Sequence, residues 1–139
     1  MGTNYYWHTS ECSHCGRGDE PKHIGKSSAG WVFALHVYPE EGIEDMDGWE
    51  RVWKGEGRIR DEYGTPLTIS EMRIVITGRY RSERWDGAPP FMYESWQQFH
   101  EKNHSEPGPS GLLRTRLTAD RRCTKHGAGT WDCFTGDFS

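Results

Sequence analysis

The strongest constraint in the sequence comes from two short motifs at opposite ends of the chain. Cys12-x-x-Cys15 and Cys123-x-x-His126 share a two-residue gap, and a glycine follows each motif. This gap allows two side chains to face one metal ion, and a structural zinc site needs four such ligands. We therefore predict a structural zinc ion bound by Cys12, Cys15, Cys123 and His126, with the two zinc knuckles joining the N- and C-terminal segments.

Nearby residues leave the ligand set open. Cys133 is able to replace Cys123 or His126, and His14 and His23 lie close to the first motif. The C-x-x-C pattern also occurs in thiol–disulfide enzymes, but there it begins a helix in a βαβ context. The sequence shows no such context, so structural zinc is the favoured interpretation.

The composition explains why a metal would help this chain to fold. Hydrophobic residues make up 33% of the 139 residues and the mean hydropathy is -0.91, whereas seven Trp supply large apolar side chains. This length suits one domain, and a net charge of -4 gives no overall case for nucleic-acid binding. No apolar run reaches the roughly 18 residues of a membrane span, and cysteines without a secretion signal favour a reducing cytoplasm.

Hydrophobic periodicity predicts strands at both ends of the chain and helices between them. The predicted strands are 4–7, a central strand at 31–38, an edge strand at 58–63 and an exposed strand at 112–117. The predicted helices are 45–54, 68–76 and 91–100, and a mobile loop is expected at 101–111. Thr68 and Glu71 fit a capping box, although the run at 74–77 would equally suit a strand. The prediction is one α+β domain over 1–139, with a mixed or antiparallel sheet and two or three short helices.

A polar segment before the strand at 31–38 offers groups that can bind an anion. Residues 23–30 superficially resemble a phosphate-binding loop, but the glycine spacing of a Walker motif is missing and no helix follows. A milder hypothesis is a flexible loop in which His23, Lys26, Ser27 and Ser28 hold phosphate. The alternative is a structural turn whose serines bind the backbone.

Aromatic and basic residues extend this hypothesis to a nucleotide. Trp31 or Trp7 would stack on a base, and Arg114 and Arg116 would add positive charge. The alternative is that the tryptophans form the core of a domain poor in aliphatic residues. The spacing patterns of zincins, serine hydrolases and zinc deaminases are missing, so we predict no catalytic residue and do not favour an enzyme.

Several segments together resemble a family of small uncharacterised tailed-bacteriophage proteins. The matching segments are Gly2-Thr3-Asn4-Tyr5-Tyr6, Cys12-x-x-Cys15-Gly16-Arg17, residues 23–31, residues 61–64, Gly129-Thr130-Trp131-Asp132 and Gly136-Asp137-Phe138-Ser139. The resemblance implies a phage gene product in the cytoplasm of a bacterial host. It implies no known activity and no catalytic residue.

We therefore expect a phage accessory protein, acting in host takeover or counter-defence, that sequesters an anionic small ligand. A nucleotide or a nucleotide-derived signal is the expected ligand class. One alternative is a protein–protein inhibitor of a host or defence enzyme, and another is a metal-dependent nuclease or hydrolase. Nucleic-acid binding is not favoured, no membrane partner is expected, and self-association is left open.

Overall fold

The computed structural model describes residues 2–9, 20–80, 87–90, 92–118 and 122–138. Within these ranges the chain forms nine strands and three α-helices. The strands are β1 (Gly2–His8), β2 (Lys22–Ser28), β3 (Phe33–His36), β4 (Arg58–Asp61), β5 (Pro66–Leu67), β6 (Ser105–Pro107), β7 (Leu113–Thr115), β8 (Cys123–His126) and β9 (Trp131–Phe134). The helices are α1 (Met46–Trp53), α2 (Ile69–Thr77) and α3 (Trp96–Asn103).

Seven of the described strands form one mixed sheet in the order β5-β4-β1-β2-β3-β9-β8. Its neighbours are antiparallel except β3 and β9, which run parallel. β6 and β7 form a separate antiparallel ribbon, which joins the chain ahead of β3 through a parallel bridge between Trp31 and Leu113. The predicted α+β class with a mixed sheet and short helices is therefore confirmed.

One face of the large sheet carries an aromatic core beneath α1 and α2. Phe33 and Leu35 of β3 are fully buried and pack in one cluster with Trp49 of α1 and Met72 of α2. The Trp49 indole nitrogen donates to the backbone oxygen of His36 at 2.6 Å, which satisfies the polar atom of a buried ring. Large aromatic side chains therefore pack together with the aliphatic residues in this core.

Side-chain caps set the starts of the helices. The Asp45 carboxylate accepts from the Gly48 backbone nitrogen at α1, and both hydrogen bonds of the Thr68–Glu71 capping box are present at α2. The predictions of helices at 45–54 and 68–76 are confirmed, and the strand alternative at 74–77 is wrong. α3 begins later than predicted because Ser95 is its cap. No described helix is long and apolar enough to cross a membrane.

Three other expectations are wrong. β4 is an interior strand because it pairs with both β1 and β5. The segment at 101–111 is not a loop throughout, since it contains the end of α3 and strand β6. The strand predicted at 112–117 is only Leu113–Thr115, and the segment is buried at its start, where Leu112 and Leu113 retain 1% and 6% of their accessible surface, whereas Leu117 is 44% exposed.

The expected flexible loop at 23–30 is also wrong, because strand β2 occupies most of it. A bulge shifts the β1–β2 register, so that Tyr5 pairs with Gly25 whereas Tyr6 pairs with His23. Residues three apart in a regular strand face opposite sides, but the extra residue places His23 and Lys26 on the same face. This second face of the sheet, opposite α1 and α2, carries the polar sites described below.

We predict that Gly25→Ala destabilises the protein by about 2–3 kcal/mol. A Cβ on Gly25 would stand 2.2 Å from the Ala34 backbone oxygen and 2.4 Å from Cε1 of Phe33. Gly55→Ala is the matched control, since its Cβ would meet the Val52 backbone oxygen at 3.4 Å. Urea denaturation measures both changes, and equal stability of the two variants would contradict the close approach at the bulge.

Candidate functional site

Cys123, His126 and Asp132 form a group at the C-terminal hairpin that could hold a metal ion. One potential ligand atom of each residue lies within 4.8 Å of the others, and Cys123 and Asp132 are buried. Within the described ranges, no further set of three His, Cys, Asp or Glu side chains is as close together. Two of the four predicted metal ligands therefore do come together, and the sequence analysis missed Asp132.

A β-bulge in β8 brings this group onto one face. Cys123 lies opposite Phe134, whereas Lys125 lies opposite Cys133 and His126 opposite Asp132. The extra residue turns Cys123 and His126 to the same side, although they are three positions apart. The C-x-x-H motif is therefore a bulged strand, and a zinc-knuckle turn is not confirmed there. Cys12 and Cys15 lie outside the described residues.

Cys133 faces away from the metal group. It follows Asp132 directly in β9, and consecutive residues of a strand point to opposite faces. Its side chain is fully buried in the core that α1 and α2 cover. The alternative in which Cys133 replaces Cys123 or His126 therefore receives no support from the structure.

The Asp132 carboxylate is the centre of a buried polar network. It has no accessible surface, and its Oδ1 accepts from Nη2 of Arg114 at 2.6 Å and lies 2.9 Å from Nδ1 of His126. The Glu106 carboxylate lies 3.4 Å from the other His126 nitrogen, Nε2. If a metal bound at Nδ1, the Nε2–H group would face this carboxylate. Metal-ligating histidines commonly donate their other ring N–H to a carboxylate in this way.

The cysteine thiols of this region are protonated at neutral pH when no metal is bound. Burial, with the charge of Asp132 as a further cause, raises the pKa of Cys123 to about 12. Burial likewise raises the pKa of Cys133 to about 11. Thiols of this kind are poor nucleophiles, and a metal ion would have to displace the proton of Cys123.

Three of the residues predicted to bind a ligand are engaged elsewhere in the fold. Trp7 is a core residue with 6% exposure, and Arg114 is paired with Asp132. Ser27 accepts a hydrogen bond from Arg79, a residue that the sequence analysis missed. Arg116 differs from these three, because its buried Nε has no hydrogen-bond partner among the described residues.

His23 belongs to a polar cluster and has no free N–H to offer an anion in this conformation. Its Nε2 lies 2.8 Å from Oδ1 of Asn4, and its Nδ1 lies 2.9 Å from Nδ1 of His36. Burial, followed by the charge of His36, lowers the pKa of His23 to about 4. The imidazole is therefore neutral at physiological pH.

Ser28 and Trp31, by contrast, line a cleft of about 290 Å³ on the second face. The remaining lining residues are Val32, Ala34, Asn103, Thr115 and Phe134. The amide nitrogen of Asn103 donates to Oη of Tyr93 at 3.1 Å and to the Phe99 backbone oxygen at 2.8 Å. Both of its N–H groups are therefore used, so Asn103 can offer a ligand its amide oxygen as an acceptor.

Lys26 lies beside Ser28, over Gly2 of β1, and is not itself a lining residue of this cleft. A Cβ on Gly2 would stand 2.6 Å from Cε of Lys26 and 3.0 Å from Oγ of Ser28. The end of the lysine side chain and the serine hydroxyl therefore both lie close to the same position above Gly2. An ammonium and a hydroxyl so placed can bind an anion together.

The polar face of this α+β domain therefore carries a candidate metal group and a separate cleft. The first contains Cys123 and His126, and the second contains Ser28 and Trp31 with Lys26 beside it. No protein-family model matches the chain, and no curated protein or solved structure is significantly similar to it.

We predict that Cys123→Ser protein binds one zinc ion fewer per chain than the wild type, because a thiolate ligand is lost. Cys133→Ser is the matched control, since that thiol faces the core, and its zinc content should equal that of the wild type. Native mass spectrometry with a zinc-chelator competition measures both. Loss of zinc from the Cys133 variant alone would contradict the assignment of ligands.

Proposed function

We propose that this chain is a phage accessory binding protein that sequesters an anionic small ligand, with a nucleotide or a nucleotide-derived signal as the expected class. The observation that carries this proposal is the approach of Lys26 and Ser28 to each other at the edge of an aromatic-lined cleft. The ammonium and the hydroxyl suit a phosphate group, and the rings of Trp31 and Phe134 suit a base. Sequestration needs affinity and no catalytic residue.

The cleft supports a narrower set of contacts than the sequence hypothesis named. Lys26, Ser28 and Trp31 remain in the proposed site. Ser27 is excluded because it already accepts a hydrogen bond from Arg79, and Trp7 is excluded because it is a core residue. The Asn103 amide oxygen would accept a hydrogen bond from an N–H group of the base. A volume of about 290 Å³ lies near the lower end for ligand sites, which favours a ligand of mononucleotide size.

We predict that Lys26→Ala combined with Ser28→Ala weakens AMP binding by about ten- to a hundredfold, because a charge-assisted hydrogen bond is lost. Native mass spectrometry of the protein purified from bacteria should also show an added mass of a few hundred daltons, which the double variant loses. Isothermal titration calorimetry with AMP, and with inorganic phosphate as the smaller probe, gives the affinities.

Two single variants are the controls for this experiment. Ser27→Ala removes a hydroxyl that Arg79 already binds, and Lys22→Ala removes a lysine of the same strand that pairs with Glu41. Both should bind AMP as the wild type does. Wild-type protein with no added mass and no affinity for AMP or phosphate would contradict the proposal, as would equal loss in the controls.

The metal in this proposal is a structural zinc ion that joins the two ends of the chain. Cys123 and His126 supply two ligands from the hairpin, and Cys12 and Cys15 supply the others. With the ion at His126 Nδ1, the Glu106 carboxylate, 3.4 Å from Nε2, would orient the ring. A structural ion would contribute to folding directly.

Zinc removal tests this structural role. We predict that a chelator lowers the thermal unfolding midpoint of the wild type by several degrees, because metal binding free energy stabilises the folded state. Cys12→Ser protein should show the lowered midpoint without chelator and little further change with it. A midpoint that is unaffected by chelator in the wild type would contradict a structural zinc.

A second candidate function is the inhibition of a host or defence enzyme through a protein–protein interface. Large hydrophobic side chains are exposed on the described surface, namely Tyr63 at 72%, Ile74 at 68%, Tyr80 at 79% and Met92 at 65%. Tyrosine is enriched among the residues that dominate binding energy at interfaces. Stable co-purification with a host protein, unchanged by Lys26→Ala, would favour this function over ligand sequestration.

A further inference from the structure

A pair of histidines forms another polar centre on the second face, apart from the Cys123 group. His23 of β2 and His36 of β3 direct their Nδ1 atoms at each other across 2.9 Å. His36 has only 4% exposure and Asn4, which bonds the other nitrogen of His23, has 7%, whereas His23 is half-buried. The pair therefore lies at the boundary between the interior and the surface.

The surrounding hydrogen bonds define the protonation of this pair. The Asn4 amide oxygen only accepts, so Nε2 of His23 carries a proton and its Nδ1 presents a lone pair when the ring is neutral. Tyr38 Oη donates its own proton to the His23 backbone oxygen at 2.9 Å. It can therefore only accept from His36 Nδ1, 3.2 Å away. One proton, on His36 Nδ1, is consequently held between the two imidazoles.

We propose that His23 and His36 bind a transition-metal ion of the imidazole-preferring class, represented by Zn²⁺, through their Nδ1 atoms. The ion takes the place of the shared proton, and the proton of His36 moves to its Nε2. Metal–nitrogen bonds of about 2.1 Å at a tetrahedral angle require the two nitrogens about 3.4 Å apart. The pair therefore has to open by roughly 0.5 Å to admit the ion.

Neighbouring side chains hold both rings in the orientation that this site needs. Asn4 fixes the His23 tautomer through Nε2, which is the usual role of an outer-shell carbonyl at a metal-bound histidine. Tyr38 stacks on the His36 ring with 4.2 Å between ring centroids. The Phe138 ring meets His23 and His36 at centroid distances of 4.8 and 4.9 Å, so this ring packs against both members of the pair.

Charged groups of both signs act on the pair. Burial is the largest cause that lowers the pKa of both histidines, and the charge of Lys26 acts in the same direction on His23, as that of Lys22 does on His36. The charge of Asp137 acts in the opposite direction on each. The Asp137 carboxylate therefore offsets part of the lysine charge at the proposed cation site.

The test uses the full-length Cys123→Ser protein, in which the metal group of the hairpin is disabled. We expect a Zn²⁺ titration, followed by long-range ¹H–¹⁵N NMR of the imidazoles, to shift the Nδ1 resonances of both His23 and His36 while their Nε2 atoms stay protonated. His23→Gln in the same background should lose this zinc ion. His104→Gln, which changes an exposed histidine, should keep it.

A second variant keeps the proposal testable if His23→Gln does not fold. Asn4→Ala retains both imidazoles but removes the acceptor at Nε2, and we expect it to weaken zinc binding about tenfold. Unchanged Nδ1 resonances at saturating Zn²⁺ would show a hydrogen-bonded histidine pair only and overturn the proposal. Unchanged zinc affinity in His23→Gln would overturn it as well.

Discussion

The parallel pairing of β9 with β3 is the interaction on which the rest of the structure depends. It places β9 beside the interior strand β3, with Asp132 next to Ala34 and Cys133 next to Leu35. Parallel neighbours require a long crossover, and α1, α2, β4, β5, α3 and the β6–β7 ribbon all lie between these two strands in sequence. The same pairing positions Cys133 in the core and Asp132 in the candidate metal group.

The two faces of the large sheet have different structural roles. The face beneath α1 and α2 buries the aromatic core, whereas the opposite face carries the metal group, the cleft and the histidine pair. Two β-bulges, one in β2 and one in β8, bring polar side chains onto this second face in the same way. In a regular strand Cys123 and His126, or His23 and Lys26, would point to opposite sides, but one extra residue in β8 and in β2 brings each pair to one side.

Arginines contribute to this fold chiefly by satisfying buried groups. Arg114 pairs with the fully buried carboxylate of Asp132, and a buried charge without such a partner would be strongly destabilising. Arg79 donates to Ser27, to the Ser28 backbone oxygen and to the Trp31 backbone oxygen at 2.9 Å, so it anchors the end of β2. Arg114 and Arg79 are therefore structural, and the proposed ligand site relies on Lys26.

Local sequence signals determined the fold class, helices α1 and α2, a strand within 31–38, where β3 is Phe33–His36, and two residues of the candidate metal group. Asp45, Thr68 and Glu71 act within a single helical turn, so a short window of sequence is sufficient to reveal them. Only the tertiary structure decided that 23–30 is largely a strand and that Trp7 is a core residue. It also decided that Asp132 belongs to the candidate metal group and that Arg79 anchors the end of β2. Those roles depend on strand register and on contacts between residues distant in the chain, and a bulge of one residue reverses which face a side chain occupies.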